Sequence, residues 1–242
     1  SMRWYRRSRL LARRVRRSSQ GPWGVSQLRK KYLVRQPAPA SQCDCHIHRS
    51  DRDFLRCGTC SLTFVPASQH ALPADERARY ETHRNSPQDA GYRAFLDRLL
   101  APLAARLAPG ARGLDYGSGP GPTASAMMRE RGFVMSDYDP FFAPDEAALR
   151  KTYAFVTCTE VVEHLRRPTD VFARLDALLE PGGALGVLTG VLEDDAAFPS
   201  WWYHNDRTHI AFYRPETLAW IARRYGWSLE RFGRDAMVFF KR

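Results

Sequence analysis

The sequence predicts an α/β fold built on a doubly wound sheet, with a small zinc-ribbon-like segment and a basic arm at its N-terminal end. Three observations predict it. Residues 114–132 read LDYGSGPGPTASAMMRERG, a strand that enters a glycine-rich turn and leaves as a helix. Residues 134–138 read as a second short strand, ended by Asp139. Further on, the apolar run YAFVTC and the helical pattern of residues 168–179 repeat the alternation. A chain of 242 residues with 44% hydrophobic content can bury a full core, enough for one domain of about 150 to 160 residues and something smaller. The expected division is an arm at 1–42, a cysteine-rich segment at 43–72 and the α/β domain at 73–242. No apolar run approaches 18 residues, so no membrane-spanning helix is expected.

The arm is distinguished by charge. Residues 1–42 hold 12 of the 37 Lys and Arg and no Asp or Glu, while the other 200 hold 25 basic and 26 acidic residues. The formal net charge of +11 therefore lies entirely in the arm. From Arg3 it reads RWYRRSRLLARRVRRSS, Arg-rich and carrying serines, with Trp4, Leu11 and Val15 on one side of a helical wheel. Three readings stay open: a mitochondrial targeting peptide leading to the matrix, an arm that binds RNA or an anionic surface, and a solvated tail in a cytoplasmic protein.

Four of the five cysteines follow within 18 residues, in CDCHIHRSDRDFLRCGTC. A disulfide framework is disfavoured, because the rest of the chain has the look of an intracellular enzyme with one further cysteine, Cys158. Zinc fits better. Cys57 and Cys60 form a C-x-x-C knuckle able to offer two thiolates at about 2.3 Å to a tetrahedral ion. The other half is irregular: Cys43 with His46, Cys43 with Cys45, or Cys45 with His48. Next, Phe95, Leu96, Leu99, Leu100, Leu103 and Leu107 recur at helical spacing, predicting an amphipathic helix over 91–107 that is bent or interrupted at Pro102.

The glycine turn selects its ligand. Gly117, Gly119 and Gly121 give G-x-G-x-G rather than the G-x-G-x-x-G of dinucleotide sites. Asp115, two residues before the first glycine, would repel a pyrophosphate and attract a cation. S-adenosylmethionine, with its sulfonium and ammonium groups, suits an acid beside glycines that allow close backbone approach. Pro122 at N1 and Gly132 at C′ frame a helix of about two and a half turns. Asp139, 24 residues beyond Asp115, is placed after the second strand to accept both ribose hydroxyls of a nucleoside.

On these residues the chain resembles the class I S-adenosylmethionine-dependent methyltransferases, whose sheet is Rossmann-like. LDYGSGPG is similar to their first motif and YDP to their ribose-binding acid. YAFVTCTEVVEHL resembles their fourth strand and its turn in small-molecule members. LEPGGALGVLTGVL resembles their fifth strand, and HNDRTHIAFYRPETLAWIARRYGW the approach to their last helix. The resemblance spans residues 80–242. It implies that Asp115, Gly117 and Gly119 line the methionine end, with Gly121 in the same cofactor-binding turn. It implies further that Asp139 and Pro140 hold the ribose, and that Thr159 and Glu160 form the floor. The region holding Tyr80, His83, Asn85 and Tyr92 is similar to a lid over cofactor and substrate. Similar methyltransferases sometimes carry an N-terminal zinc ribbon with two C-x-x-C pairs, from which Cys43, Cys45 and His46 depart.

Cys158 reads as core, and Glu163 and His164 as a turn with structural hydrogen bonds. After the fifth strand, EDDAAFPSWWYHNDRTHIAFY sets tryptophans, tyrosines, His204, Asp206 and His209 where a substrate pocket is expected. His209 is the expected base, with His204 and Asp206 as its catalytic neighbours, the latter able to orient an imidazole or bind substrate. A nucleophile elbow is excluded, since Tyr116 and Pro120 flank Ser118 where glycines are required. No N-P-P-Y or D-P-P-Y sequence is present and the α/β domain is not basic, which favours in-line methylation of a small-molecule acceptor. Two alternatives are an RNA-associated methyltransferase and a catalytically silent assembly factor, both targeted by the arm.

Overall fold

From its N-terminal side the chain forms β1 (Cys43–Arg49), β2 (Arg52–Cys57), β3 (Thr63–Phe64), α1 (Pro73–Glu81) and α2 (Ala90–Ala104). There follow β4 (Arg112–Tyr116), α3 (Thr123–Glu130), β5 (Val134–Tyr138), β6 (Tyr153–Thr159), α4 (Pro168–Leu178) and β7 (Leu179–Leu188). It ends with β8 (Ala211–Phe212), α5 (Pro215–Tyr225), β9 (Ser228–Phe232) and β10 (Ala236–Phe240). The structure, a computed structural model, describes residues 52–82 and 86–242 with their side chains and 43–49 as backbone. The arm, and His83 and Asn85 of the expected lid, lie outside the described residues.

Six strands make the central sheet in the order β5-β4-β6-β7-β10-β9. β5, β4, β6 and β7 are mutually parallel, while β10 runs antiparallel to both of its neighbours. Because side chains alternate across a strand, each strand feeds two cores. Val156, Cys158, Leu185 and Val187 face the side covered by α4 and α5, with Phe172, Leu175, Leu218 and Ile221. Phe155 and Leu188 face the other side, with Leu96, Leu99, Leu100 and Leu103 of α2 and Met127 and Met128 of α3. This is the doubly wound arrangement read from the sequence. Its chain order turns back between β4 and β6, which opens a crevice at their carboxyl ends.

Several boundaries differ from the sequence reading. α2 runs through Pro102 for two further residues, because burial of Leu96, Leu99, Leu100 and Leu103 against the sheet outweighs one lost backbone bond. Pro122 is the N-cap of α3 rather than its first residue, and the helix is eight residues long. Gly132, at φ +87°, does close it. Cys158 is fully buried in the core.

A second, four-stranded sheet has the order β1-β2-β3-β8. The segment that reads as a ribbon therefore shares its sheet with a strand from beyond β7: Thr63 pairs Phe212 and Phe64 pairs Ala211. Beneath it Phe54, Val65, Phe198, Tyr203, Ile210 and Phe212 form a third apolar cluster. Cys57 and Cys60 lie half-buried at the β2–β3 turn, where Ser61 takes φ +61° and its N–H bonds Cys57 O at 2.8 Å. Cys43 lies opposite Cys57 in the β1–β2 register. The side chains of Cys43, Cys45 and His46 lie outside the description.

Gly113 in β4 is required by packing: a Cβ there would stand 2.2 Å from the ring of Phe155, which is fully buried. Gly113→Ala is expected to destabilise the protein by about 1–3 kcal/mol through overpacking, read from urea unfolding.

Candidate active site

The glycine turn after β4 is fixed from below. Gly117 N–H and Ser118 N–H both bond Tyr138 O, at 2.7 and 3.1 Å. Asp139, at the end of β5, accepts Gly119 N–H at 3.0 Å on one oxygen and the N–H groups of Phe141 and Phe142 at 2.8 and 3.0 Å on the other. Gly117 and Gly119 sit at φ +83° and +64°, a region that side chains disfavour. A Cβ at Gly117 would also lie 2.4 Å from Val161. At Gly117 a β-carbon is therefore excluded by packing as well as by backbone conformation.

Asp115 is buried beneath the turn, accepting Thr157 Oγ1 at 2.7 Å. Burial pushes its carboxyl up to about 7, against the lowering effect of Thr157 and the Ser125 N–H. A buried acid whose hydrogen-bond partners are neutral and which lines an open cradle fits a cationic nucleoside such as S-adenosylmethionine. Thr159 ends β6, and Glu160 follows at φ +54°. For a non-glycine residue this conformation costs of order 1–3 kcal/mol, a kind of strain concentrated at functional sites. Burial raises the Glu160 carboxyl well above its ordinary range, and the neighbouring Glu163 raises it further.

A cavity of about 590 Å³ extends from this cradle. Asp115, Gly117, Gly119, Gly121, Asp139, Pro140, Thr159 and Glu160 line one end. Tyr80, Phe141, Trp202, His164 and His209 enclose the other, while Tyr92, its hydroxyl pushed up by burial and by the charges of Asp115 and Glu160, stands on the cradle side. The Tyr80 ring meets His164 edge-on at 5.2 Å and Phe141 at 5.9 Å, and its hydroxyl donates to Glu76. Trp202 is 69% exposed, which puts it at the mouth.

The two imidazoles are oriented alike. His209 Nδ1–H donates to Tyr203 O at 2.7 Å and His164 Nδ1–H to Thr208 O at 3.0 Å, since a carbonyl can only accept. Each ring in its neutral form keeps its lone pair on Nε2, the state that proton acceptance by His209 would require. Burial lowers the His209 imidazole, opposed by the charge of Glu163. Glu163 is fully buried in the turn after β6, accepting from Thr189 Oγ1 and Tyr203 hydroxyl.

His204 and Asp206 sit elsewhere. His204 packs on Phe54 and Phe198 in the third cluster, away from the cavity. Asp206 accepts Thr208 N–H and Oγ1 and pairs with Arg79 at 2.8 Å. Burial alone would raise its carboxyl, but these partners hold it below the usual carboxylate range. Asp206 thus braces the loop next to His209. Arg52, passed over in the sequence reading, does the same from the other side: its guanidinium donates to the carbonyls of His204, Asp206 and His209 at 3.2, 3.1 and 2.7 Å. Nothing in the sequence marks it among so many arginines. His164 reads in the sequence as part of a structural turn, whereas its ring lines the cavity.

Fold and site together define a nucleoside-dependent group-transfer enzyme of the doubly wound class. A methyltransferase-domain family model matches residues 88–231, more than half of the chain. The chain belongs to this family, the class I S-adenosylmethionine-dependent methyltransferases. Among solved structures, it is similar to the 1,6-didemethyltoxoflavin-N1-methyltransferase of Burkholderia thailandensis, crystallised with 1,6-didemethyltoxoflavin and S-adenosylhomocysteine. The identity is 18% over 81% of this chain and 96% of that one, with a TM-score of 0.50. An S-adenosylmethionine-dependent methyltransferase of Archaeoglobus fulgidus matches at 18% identity over 68% of this chain and 99% of that one, with a TM-score of 0.48. No curated protein matches the chain in sequence. No helix among the described residues is long and apolar enough to cross a membrane.

The raised Asp115 carboxyl has a measurable sign. Its unfolded value is near 3.8 and its folded value near 7, so the ligand-free fold loses stability as pH rises between them. Asp115→Asn should therefore match wild type near pH 4 and exceed it above pH 7, by at most about 4 kcal/mol, in urea unfolding at the two pH values. Equal pH dependence in the two proteins would refute the assignment.

Proposed function

We propose that the acceptor of methyl transfer is a small molecule held in the cavity between the glycine cradle and the two imidazoles. The observation that supports it is the continuity of that cavity, with an acidic, glycine-lined end and an aromatic, histidine-bearing end. The bound cofactor supplies an electrophilic methyl carbon on a sulfonium. Asp115 and the turn at Gly117 to Gly121 hold the amino-acid end, and Asp139 has acceptor capacity left for the ribose beside the three N–H groups it already takes. Tyr80, Phe141 and Trp202 enclose the acceptor and exclude water, Tyr92 covers the cofactor beside Asp115 and Glu160, and His209 Nε2 meets the acceptor's nucleophilic group. An acceptor so held would take the methyl group through its lone pair, in line with the carbon–sulfur bond whose electron pair would stay on sulfur. The acceptor's proton is released at the same end.

The reading as an RNA-associated enzyme or silent assembly factor rests on residues 1–42, outside the described residues. One experiment separates the three. Calorimetry with the full chain should show S-adenosylmethionine binding that Asp139→Ala weakens roughly 10- to 100-fold, as for a lost charged acceptor. Thermal unfolding controls for the loss of its turn-bracing bonds. Labelled-methyl transfer should then appear in metabolite rather than RNA fractions. A folded protein that binds no cofactor would leave the scaffold reading in its place.

For residues 43–72 we carry forward a zinc-binding segment. Support comes from the half-buried Cys57 and Cys60 on one tight turn, with Cys43 across the strand pair. The variant Cys57→Ala with Cys60→Ala should carry one zinc fewer per chain than wild type by elemental analysis. Equal content would remove the site.

A further inference from the structure

The chain is rich in arginine, yet no Lys or Arg among the described residues lines the cavity. Its ionisable groups are the carboxyls of Glu76, Asp115, Asp139 and Glu160, several phenols, and the imidazoles of His164 and His209. A negatively charged acceptor would find no opposite charge there and would face these acids directly. Three of the four carboxyls are already engaged. Glu76 pairs with Arg166 at 2.8 Å, Asp139 takes three backbone N–H groups, and Asp115 serves the cationic end of the cofactor.

Glu160 is the fourth. It forms no ion pair among the described residues, and Arg98, whose charge reaches it, is itself bound to Asp235 at 2.9 Å. Its place is the border between the two ends of the cavity. Its charge acts on Tyr92 on the cradle side and on Tyr203, whose ring centroid lies 4.2 Å from that of His209. The left-handed backbone at φ +54° and the bond from its own N–H to Leu188 O hold the residue there. A carboxyl between the two ends, lining a space without cations and close to aromatic rings, is a receptor for positive charge.

We propose that the methyl acceptor is an amine on an aromatic or apolar skeleton, and that Glu160 receives its ammonium group. This rests on the methyl-transfer reading above. The ammonium donates one N–H to the Glu160 carboxylate and another to His209 Nε2, while Tyr80, Phe141 and Trp202 enclose the skeleton. One proton passes from nitrogen to Glu160. The lone pair so freed forms the bond to the methyl carbon, the carbon–sulfur bond breaks with its electron pair on sulfur, and the products are a methylammonium and S-adenosylhomocysteine. The proton on Glu160 leaves to water as the next ammonium binds. Both environments favour the transfer. Burial and Glu163 raise the Glu160 carboxyl well above its ordinary range, and a sulfonium beside the ammonium makes the nitrogen more acidic.

The full chain saturated with S-adenosylhomocysteine is the material for the test, so that any change in cofactor affinity drops out. The probes are benzylamine, phenethylamine and tryptamine, each with the alcohol and the carboxylate of the same skeleton, titrated by saturation-transfer nuclear magnetic resonance. At least one amine should bind roughly 10- to 100-fold more tightly than both of its counterparts, as for a charged hydrogen bond. Glu160→Gln should erase that preference. The wild-type comparison needs no variant and stands if Glu160→Gln fails to fold. If no amine outbinds its alcohol and its carboxylate, or if the preference persists in Glu160→Gln, the proposal is overturned. Labelled-methyl transfer to a metabolite extract separates that failure from failure of the reading beneath it. Label should enter a product that a cation exchanger retains once the cofactor is removed. Label in a neutral or anionic product overturns the amine and leaves methyl transfer standing, whereas a folded chain that binds no cofactor refutes methyl transfer itself.

Discussion

Arg52 holds the histidine-bearing side of the cavity in shape. Its buried guanidinium takes three carbonyls from one short loop, and hydrogen bonds to a charged group contribute roughly 1.5–3 kcal/mol each. Desolvation works against it, lowering its basicity, and the nearby Asp206 partly compensates. The loop between Tyr203 and Ile210 has little regular structure of its own. Without the arginine these carbonyls would lose a charged donor beside an apolar cluster, with Asp206 O left to the His209 N–H alone. The direction in which the His209 ring points follows from this clamp, from Asp206 and Thr208 beside it, and from Glu163 O, which receives Ile210 N–H at 2.9 Å.

The cradle at the opposite end obeys a different constraint, that of backbone conformation. Gly117 and Gly119 adopt left-handed backbone, and Asp139 ties the turn to β5 through Gly119 N–H. Glu160 takes a left-handed conformation with a full side chain, at an energetic cost, and its N–H bonds Leu188 O in β7. Two parallel strands thus hold the floor of the cavity while a loop from a second sheet holds its far wall. The ends differ in chemistry because they differ in origin.

What was legible in the sequence were the features with local causes. The glycine turn, the strand over Val134–Tyr138, Asp139 and the apolar stripe of α2 all declare themselves within a few residues. α1 has no buried residue and so no stripe to find. β3 and β8 have two residues each, and β8 finds its ladder partner β3 only across more than a hundred positions. His204 and His209 stand five positions apart in one aromatic stretch, yet one is packed beneath the small sheet and the other faces the cavity. No period in the sequence separates them, since the 3₁₀ turn at Trp202–Asn205 and the clamp of Arg52 decide which way each ring turns.

The pairing of β3 with β8 makes the borders of similarity and the borders of folding diverge. The stretch shared with other family members, 88–231, contains the loop of His209 but neither Arg52 nor the β10 strand that lies between β7 and β9. Excised along those lines, the fragment would keep every signature by which its relatives are recognised. It would also expose a sheet edge along β7 and strip its acceptor loop of the donor that closes it. Recombination between homologues at the edge of the shared region would for the same reason yield chimaeras with an intact cofactor cradle and a misdirected imidazole, so that new acceptor specificities would arise more readily by exchanging the small sheet and its loop together.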